Sequence, residues 1–188
     1  MKYTASIVAL GCLMVLGAGC VHNPFAAKTP DPTNGHLIKG KSYTTVYFLG
    51  ANGKRYVFPN DKTYLTWFPD FSIVKQISDE DLMKTPLGGN VTYKPGTRLI
   101  KVETAPQVYV VTRGGVRRQI ASEEVAAQLF GPDWKNRVDD MPDAFFTNYT
   151  DGPIIKSRND FSPVDEEKNT TSIDQDKNLL PAVSSTTP

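Results

Sequence analysis

The sequence predicts an α+β fold made of two tandem units, each combining β-hairpins with short helices. The first observation is an internal repeat, in which residues 46–58 align without a gap on residues 108–120. The second is that both copies hold β-prone runs around a turn, which is Asn52-Gly53 in one and Gly114-Gly115 in the other. The third is a capping residue followed by acidic residues after each hairpin, which predicts a helix. Such self-similarity indicates stacked units that share a core.

The repeat extends beyond the hairpins and defines the unit boundaries. Asp70-Phe71 aligns on Asp133-Trp134, and the triplets Leu37-Ile38-Lys39 and Leu99-Ile100-Lys101 precede the two copies at the same offset. A third triplet, Ile154-Ile155-Lys156, follows the second copy. We expect each unit to need the strand that opens the next one, so that this last triplet is a closing strand. The repeat domain then covers residues 36–157, with units at about 37–98 and 99–156.

The helices are predicted from their first residues. Asn60 and Ser122 are suitable N-caps, because their side-chain oxygens can accept from free N–H groups of the first turn. Helices are therefore expected at residues 61–68 and 123–130. Two further elements follow in the first unit: a helix at 79–84 after Ser78, and a hairpin of 91–93 with 98–102.

Composition separates both ends of the chain from the repeat domain. Residues 1–19 have a charged start, an apolar run and small residues at the end, as in a secretory signal peptide. The apolar run is too short to cross about 30 Å of hydrocarbon as a helix. Residues 20–35 are interpreted as a lipid anchor and a tether rich in Pro, Asn and Thr. Residues 158–188 are polar, and we expect them to be disordered.

Cys20 follows the run Leu16-Gly17-Ala18-Gly19, and together they resemble the lipobox of a bacterial lipoprotein. The resemblance implies cleavage before Cys20 and a diacylglycerol on its sulfur. It also implies an exported protein that is anchored to the outer face of the cytoplasmic membrane or to the outer membrane. Ordinary cleavage after Gly19 is the alternative, because Gly17 stands where the family prefers leucine. Lipidation would account for the unpaired exported thiol, since Cys12 is discarded with the signal.

The repeat itself resembles one found in exported and surface proteins of bacteria, many with small genomes. Residues 53–60, 86–98 and 138–146 carry this resemblance, which covers roughly residues 37–156. It implies an extracytoplasmic location and a modular architecture, and it transfers no catalytic residue. Gln119 departs from the pattern, in which an aromatic residue is expected.

Composition excludes several classes of function. The formal net charge is +1, so no basic excess points to nucleic acid. The only two histidines of the sequence, His22 and His36, lie in or beside the tether. A Ser-His-Asp or Cys-His site therefore has no histidine held by the fold, and a zinc site lacks its usual ligands. We expect no cofactor and no catalytic residue.

Aromatic and basic side chains are the candidate ligand-binding residues. Most rings should form the core, because the mature chain has no disulfide available. Tyr64 and Trp67 fall on different helical faces from Phe68, and an exposed pair would suit stacking on a sugar. The remaining candidates are Trp134, Arg55, Arg117 and Arg118. The arginines form a solvated strand face, or span the unit interface to a carboxylate such as Asp79 or Asp143. The functional alternative is a basic edge that meets an anionic wall polymer or lipid headgroups.

Acidic residues recur at equivalent places in the two units. These are Asp79-Glu80-Asp81 in the first unit and Asp139, Asp140 and Asp143 in the second. The simplest interpretation is compensation of helix dipoles at helix starts. A calcium site formed by Asp139, Asp140 and Asp143 is an alternative. A glycoside hydrolase would need two facing carboxyl groups, which sequence neighbours at a helix start rarely provide.

The leading functional hypothesis is a non-enzymatic lipoprotein of the cell envelope. Its repeat domain would bind a wall polymer or a surface protein, and its lipid would bind the membrane. A glycan-acting enzyme or accessory that uses the regions of Asp79 and Asp143 is the second hypothesis. A structural spacer is the third.

Mass spectrometry of the membrane-bound protein should find a chain that starts at Cys20 and carries a diacylglyceryl thioether. We expect this because a lipid on sulfur would hold the exported domain at the membrane, with stable anchoring supplied by more than one acyl chain. An intact Met1 start, or a free thiol on the exported form, would contradict the anchor.

Overall fold

The computed structural model describes residues 36–180, which form an α+β fold of two similar units and so confirm the predicted class. The predicted signal peptide, Cys20 and the tether lie outside the described residues. Among residues 36–180, no helix is both long and apolar enough to cross a bilayer.

The first unit is a five-stranded sheet with two helices. Its strands are β1 (His36–Lys39), β2 (Tyr47–Leu49), β3 (Arg55–Val57), β4 (Lys75–Gln76) and β5 (Leu87–Asn90), and its helices are α1 (Asp61–Trp67) and α2 (Asp79–Lys84). The spatial order is β4-β1-β2-β3-β5. The three central strands are antiparallel neighbours, and both outer strands run parallel to the strand beside them.

The second unit repeats this arrangement strand for strand. Its strands are β6 (Leu99–Val102), β7 (Tyr109–Thr112), β8 (Val116–Gln119), β9 (Val138–Met141) and β10 (Thr150–Asp151). Its helices are α3 (Glu123–Phe130) and α4 (Asp143–Phe146), with a 3₁₀ turn at Trp134–Arg137. The order β9-β6-β7-β8-β10 and all four pairing directions match those of the first unit.

The predicted helix starts are confirmed by their capping contacts. The Asn60 side chain accepts from the backbone N–H of Thr63 at 2.8 Å, and Ser122 accepts from Val125 at 3.3 Å. Ser78 caps α2 in the same way. Each bond satisfies an N–H group that has no partner within the helix, so these helices begin where the local sequence predicts.

The hairpins are confirmed, but the first turn is not the type I′ turn that Asn52-Gly53 suggests. Such a turn needs a positive φ at both central residues, and here only Gly53 has one, at 74°. A longer loop connects the strands, with a bond from the Gly53 N–H to the Gly50 carbonyl at 2.9 Å. The Asn52 side chain instead donates to the Tyr56 hydroxyl at 2.8 Å.

The prediction of a hairpin between residues 91–93 and 98–102 is wrong. Strand β6 pairs with β7 and β9 in its own sheet, and β5 closes the first sheet. No unit therefore needs the strand that opens the next one. The triplet at Ile154 does close the second unit, because the N–H of Ile155 donates to the Gln119 carbonyl at 2.8 Å. Val91 makes the equivalent bond to Val57 in the first unit.

The buried apolar side chains form three clusters. One belongs to the first unit and includes Leu37, Phe48 and Val91. A second, which includes Leu99 and Ile155, is its counterpart in the second unit. The third covers the other face of the second sheet and includes Tyr93, Ile100, Val111, Met141 and Tyr149. Tyr93 comes from the junction, where its N–H donates to the Tyr149 hydroxyl at 3.1 Å, so the junction is part of the packed interior.

The prediction that residues 158–188 are disordered is wrong for residues 158–180, which we call the C-terminal arm. The arm holds a 3₁₀ turn (Arg158–Asp160) and helices α5 (Pro163–Asn169) and α6 (Ile173–Asp176). Phe161 packs into the second unit's cluster, and Ile173 packs into that of the first. A few well-spaced apolar anchors therefore order a segment whose average composition is polar. Residues 181–188 lie outside the described part.

Gly96 shows how closely the arm fits the junction. This residue has a φ of +76°, and a Cβ built on it would lie 2.4 Å from the Pro163 carbonyl oxygen and 3.0 Å from the Glu167 nitrogen. Glycine is the residue that tolerates both the left-handed backbone and such an approach. The junction turn and α5 are thus in backbone contact.

Replacing Ile173 by Ala should lower the free energy of unfolding by about 2–5 kcal/mol, because the side chain is buried and its removal leaves a cavity. Val164→Ala in the same arm is the matched control, since Val164 is 74% exposed and should change stability by less than about 0.5 kcal/mol. Chemical denaturation measures both variants. Equal, small effects would show that the arm does not contribute to the fold.

Candidate functional site

Each unit holds a cleft beside the end of its central hairpin. The first cleft has a volume of about 380 Å³ and is lined by Thr44, Thr45, Val46, Val57, Phe58, Pro59, Asn60, Asp61, Tyr64 and Phe71. The second measures about 230 Å³ and is lined by Pro106, Gln107, Val108, Gln119, Ile120, Ala121, Ser122, Glu123, Ala126 and Trp134. The repeat alignment pairs these lining residues one for one, in the same order. The cleft is therefore a property of the repeat unit.

An aromatic ring forms one wall of the first cleft. Phe71 is 47% exposed and stacks on Tyr64, with ring centroids 4.2 Å apart and planes 12° apart. Tyr64 is buried, and its hydroxyl donates to the Asp70 carbonyl at 2.7 Å, which fixes the loop that carries Phe71. Burial, and secondarily the charge of Asp70, raises the pKa of the Tyr64 hydroxyl. Tyr64 is thus a support for the exposed ring.

In the second cleft the aromatic ring is larger, and the residue beneath it is smaller. Trp134 replaces Phe71, and Ala126 replaces Tyr64. The indole packs into the core cluster of its unit and is only 8% exposed. Lys135 places its Nζ 5.5 Å from the ring centroid, within cation–π range. The change from tyrosine to alanine makes room for the indole, which explains why the same position is exposed in one unit and buried in the other.

The same rings also line a second pair of clefts. In the first unit this cleft is lined by Lys39, Thr44, Val46, Phe71 and Val74. In the second it is lined by Lys101, Pro106, Val108, Trp134, Lys135, Val138 and Asp140. Phe71 and Trp134 each line both clefts of their unit.

Of the predicted aromatic ligand residues, the structure places Tyr64 and Trp134 in the clefts and Trp67 elsewhere. Tyr64 and Trp67 do not form the exposed pair that would suit sugar stacking, because Tyr64 is buried and the Trp67 indole donates to the Thr92 carbonyl at 2.9 Å. Trp67 packs against the first cluster instead. Phe71, which the alignment pairs with Trp134, is the exposed ring that the sequence argument overlooked.

The three predicted arginines lie outside the clefts, and two of them have partners in their own unit. Arg117 binds Asp151 through Nε at 2.7 Å and lies 3.9 Å from the centroid of the Phe146 ring. The Arg118 Nε donates to the Pro153 carbonyl at 2.8 Å. Arg55 lies 5.1 Å from the centroid of the Tyr47 ring. Arg117 therefore pairs with a carboxylate of its own unit, not with Asp79 or Asp143 across the unit interface, and Arg118 binds backbone carbonyls.

The carboxylates predicted as a calcium site do not converge. Asp139 is buried and accepts two bonds from Arg98, while Asp140 pairs with Lys101. Asp143 accepts from the Thr104 hydroxyl at 3.3 Å. Within residues 36–180, no three acidic, histidine or cysteine side chains are grouped to hold a metal ion. The calcium hypothesis is therefore wrong for these residues.

Asp79 makes the contact that corresponds to Asp143 in the other unit. Its Oδ2 accepts from the Ser42 hydroxyl at 2.6 Å, and these bonds lower the pKa of the Asp79 carboxyl. Because Ser42 aligns with Thr104, both units use the same contact to hold the loop before the central hairpin. A general acid needs a raised pKa, so the lowered pKa does not suit Asp79 to that role.

Two buried carboxylates of the arm were missed by the sequence argument. Asp174 accepts from the Ala51 N–H at 2.8 Å, and Asp176 accepts from the Gly114 N–H at 2.9 Å. Those N–H groups belong to the hairpin turns of the first and second units. Burial raises the pKa of both carboxyls, and the backbone donors partly oppose this. One short helix thus joins the two turns.

No protein-family model, curated protein sequence or solved structure matches this chain. The resemblances to a lipoprotein lipobox and to a bacterial surface repeat stay predictions.

Replacing Asp176 by Asn should change how stability depends on pH. The pKa of Asp176 in the folded state lies above the ordinary value of 3.8. Between the unfolded-state pKa and the folded-state pKa, the folded state therefore binds more protons than the unfolded state. The contribution of Asp176 to stability is therefore largest at low pH and falls as pH rises through its folded pKa. Asn keeps an acceptor for Gly114 without ionising. Relative to the wild type, Asp176→Asn should become more stable as pH rises from about 4 to about 7, as measured by denaturation at each pH.

Asp81→Asn is the control of opposite sign. The bond from the Ser78 hydroxyl lowers the pKa of Asp81 from its ordinary value of 3.8. Its contribution to stability is therefore present throughout the higher pH range and is lost only as the pH falls below that value. Equal pH slopes for the two variants would contradict the assignment.

Proposed function

We propose that this chain is a non-enzymatic lipoprotein of the cell envelope that binds a repeating wall polymer through its two equivalent clefts. The observation that carries the proposal is the one-for-one pairing of the residues that line the clefts. A ligand with a repeating structure presents the same group more than once, and a duplicated cleft suits such a ligand. A single small molecule would need only one of them.

The chemistry of the cleft walls supports a polymer of sugars. The first cleft combines the exposed face of Phe71 with the polar side chains of Thr44, Thr45 and Asn60. Binding sites generally pair an apolar surface with a few polar groups that fix orientation. A sugar ring offers an apolar face of C–H groups and a rim of hydroxyls, so both parts find partners. The clefts are also open to solvent, which lets a long chain pass through them.

Anchoring and duplication strengthen binding together. The predicted lipid on Cys20 would hold the domain at the membrane, and the tether would let it reach the wall. Once one cleft holds the polymer, the other meets it at a high effective concentration. Two clefts that each bind the polymer weakly can then bind it tightly together, although neither encloses it.

The enzymatic alternative receives less support from the same residues. Asp79 and Asp143 occupy equivalent places in different units, and each is bonded to a hydroxyl of its own unit. Glycoside hydrolysis needs two carboxyls on either side of one bond. A surface-protein ligand and a passive spacer remain as outcomes of the experiment below.

Blocking the clefts should remove binding to isolated cell walls in a sedimentation assay with the unlipidated full mature chain. Thr44→Trp narrows the first cleft and Gln107→Trp narrows the second, and both residues are exposed at the lip. Each single variant should bind roughly 100-fold more weakly, because avidity is lost when one site remains. The double variant should show no binding.

Val164→Trp is the matched control, since it adds the same indole at an exposed site on α5. It should bind like the wild type. Wall binding that survives in the double variant would overturn the assignment to the clefts. Absence of wall binding by the wild type would favour the spacer or a protein partner.

A further inference from the structure

Arg55 and Arg117 are equivalent residues with different surroundings. They occupy matching positions on β3 and β8, each behind the hairpin turn of its unit. In the second unit, Arg117 is fully engaged. Its Nε and Nη2 donate to the two Asp151 oxygens at 2.7 and 3.2 Å, and its Nη1 donates to the Phe146 carbonyl at 2.6 Å. A planar carboxylate on two N–H donors is the strong geometry for a guanidinium.

The first unit lacks that carboxylate. Asp151 lies opposite Arg117 in the sheet register, and Leu87 lies opposite Arg55. Among residues 36–180, the Nε and Nη1 atoms of Arg55 have no hydrogen-bond partner, although both are buried. The ring of Tyr47 faces the guanidinium at 5.1 Å but supplies no acceptor in its plane. Buried donors without acceptors are unfavourable, so this guanidinium retains unused binding capacity.

The position is reachable from the edge of the sheet. Strand β5 is the last strand on that side of the first sheet, and the Leu87 side chain is 60% exposed. A mostly exposed leucine can change rotamer without opening the core. Its movement would uncover the Arg55 donors at the place that the Asp151 carboxylate occupies in the second unit.

We propose that Arg55 binds a carboxylate of the wall polymer, as Arg117 binds Asp151 within the chain. The proposal rests on the proposed function and names the charged group of its ligand. It also gives the two units different roles. Arg55 of the first unit binds a carboxylate of the ligand, whereas Arg117 of the second unit binds the carboxylate of Asp151 in the same chain. Carboxylate is preferred over phosphate because the chain's own example at this position is a planar, two-oxygen acceptor.

Leu87→Asp and Leu87→Asn form a pair that tests this directly. Leu87→Asp places a carboxylate where Asp151 stands in the second unit, so it should occupy Arg55 and exclude the polymer. Leu87→Asn has nearly the same size and no charge. We expect Leu87→Asp to melt at a higher temperature than Leu87→Asn. We also expect it to bind untreated walls about tenfold more weakly, as Arg55→Gln should.

Three wall preparations identify the charge. The first is untreated, the second is stripped of phosphate with cold hydrofluoric acid, and the third has its carboxyls converted to amides with carbodiimide and methylamine. The tenfold difference between wild type and Arg55→Gln should persist on the phosphate-free wall and vanish on the amidated wall. A difference that disappears with phosphate and survives amidation would overturn the proposal.

Failure of this inference and failure of the proposed function give different results. If Arg55→Gln and Leu87→Asp bind all three walls like the wild type, while Thr44→Trp/Gln107→Trp does not bind, the clefts stand and the Arg55 site is wrong. If Leu87→Asp is no more stable than Leu87→Asn, Arg55 does not bind a carboxylate at that position, and the inference is again wrong. If the wild type binds no wall, both proposals fail.

Discussion

Two carboxylates spaced two residues apart hold the two halves of this protein together. Asp174 binds a backbone N–H in the hairpin turn of the first unit, and Asp176 binds one in the turn of the second. Because both sit on one helical turn, the separation of the two hairpins is set by the geometry of α6. The relative position of the two clefts therefore depends on this polar contact and on the apolar anchors Phe161 and Ile173.

The two units keep one architecture while their side chains diverge in compensating pairs. Tyr64 with Phe71 in the first unit corresponds to Ala126 with Trp134 in the second, so the larger ring sits on the smaller support. Packing requires this exchange, because a core filled at crystal density has no room for two large rings. The exchange leaves one ring exposed and buries the other. A second divergent pair, Leu87 and Asp151, decides whether the neighbouring arginine is engaged.

Local signals predicted the local elements well. The caps at Asn60, Ser78 and Ser122, and the helices after them, involve contacts within three residues, which the sequence displays directly. The repeat alignment also indicated that residues 71 and 134 are equivalent, which the clefts confirm. Exposure was harder to predict, because Tyr64 is buried by Phe58 and Phe68 and by Phe71, which stacks on it from a separate loop.

The two-unit α+β organisation, the helix starts and the two central hairpins could be predicted from the sequence, because each depends on residues that are near neighbours or on a visible repeat. The order of residues 158–180 and the surroundings of the arginines depend on contacts between distant parts of the chain. Asp174 meets its donor across 123 positions of the chain and Asp176 across 62. A polar segment looks unable to fold when its acceptors have no visible donors, and those donors are backbone N–H groups that carry no sequence signature. Whether a buried carboxylate finds a backbone donor in a distant part of the chain is therefore decided by the fold.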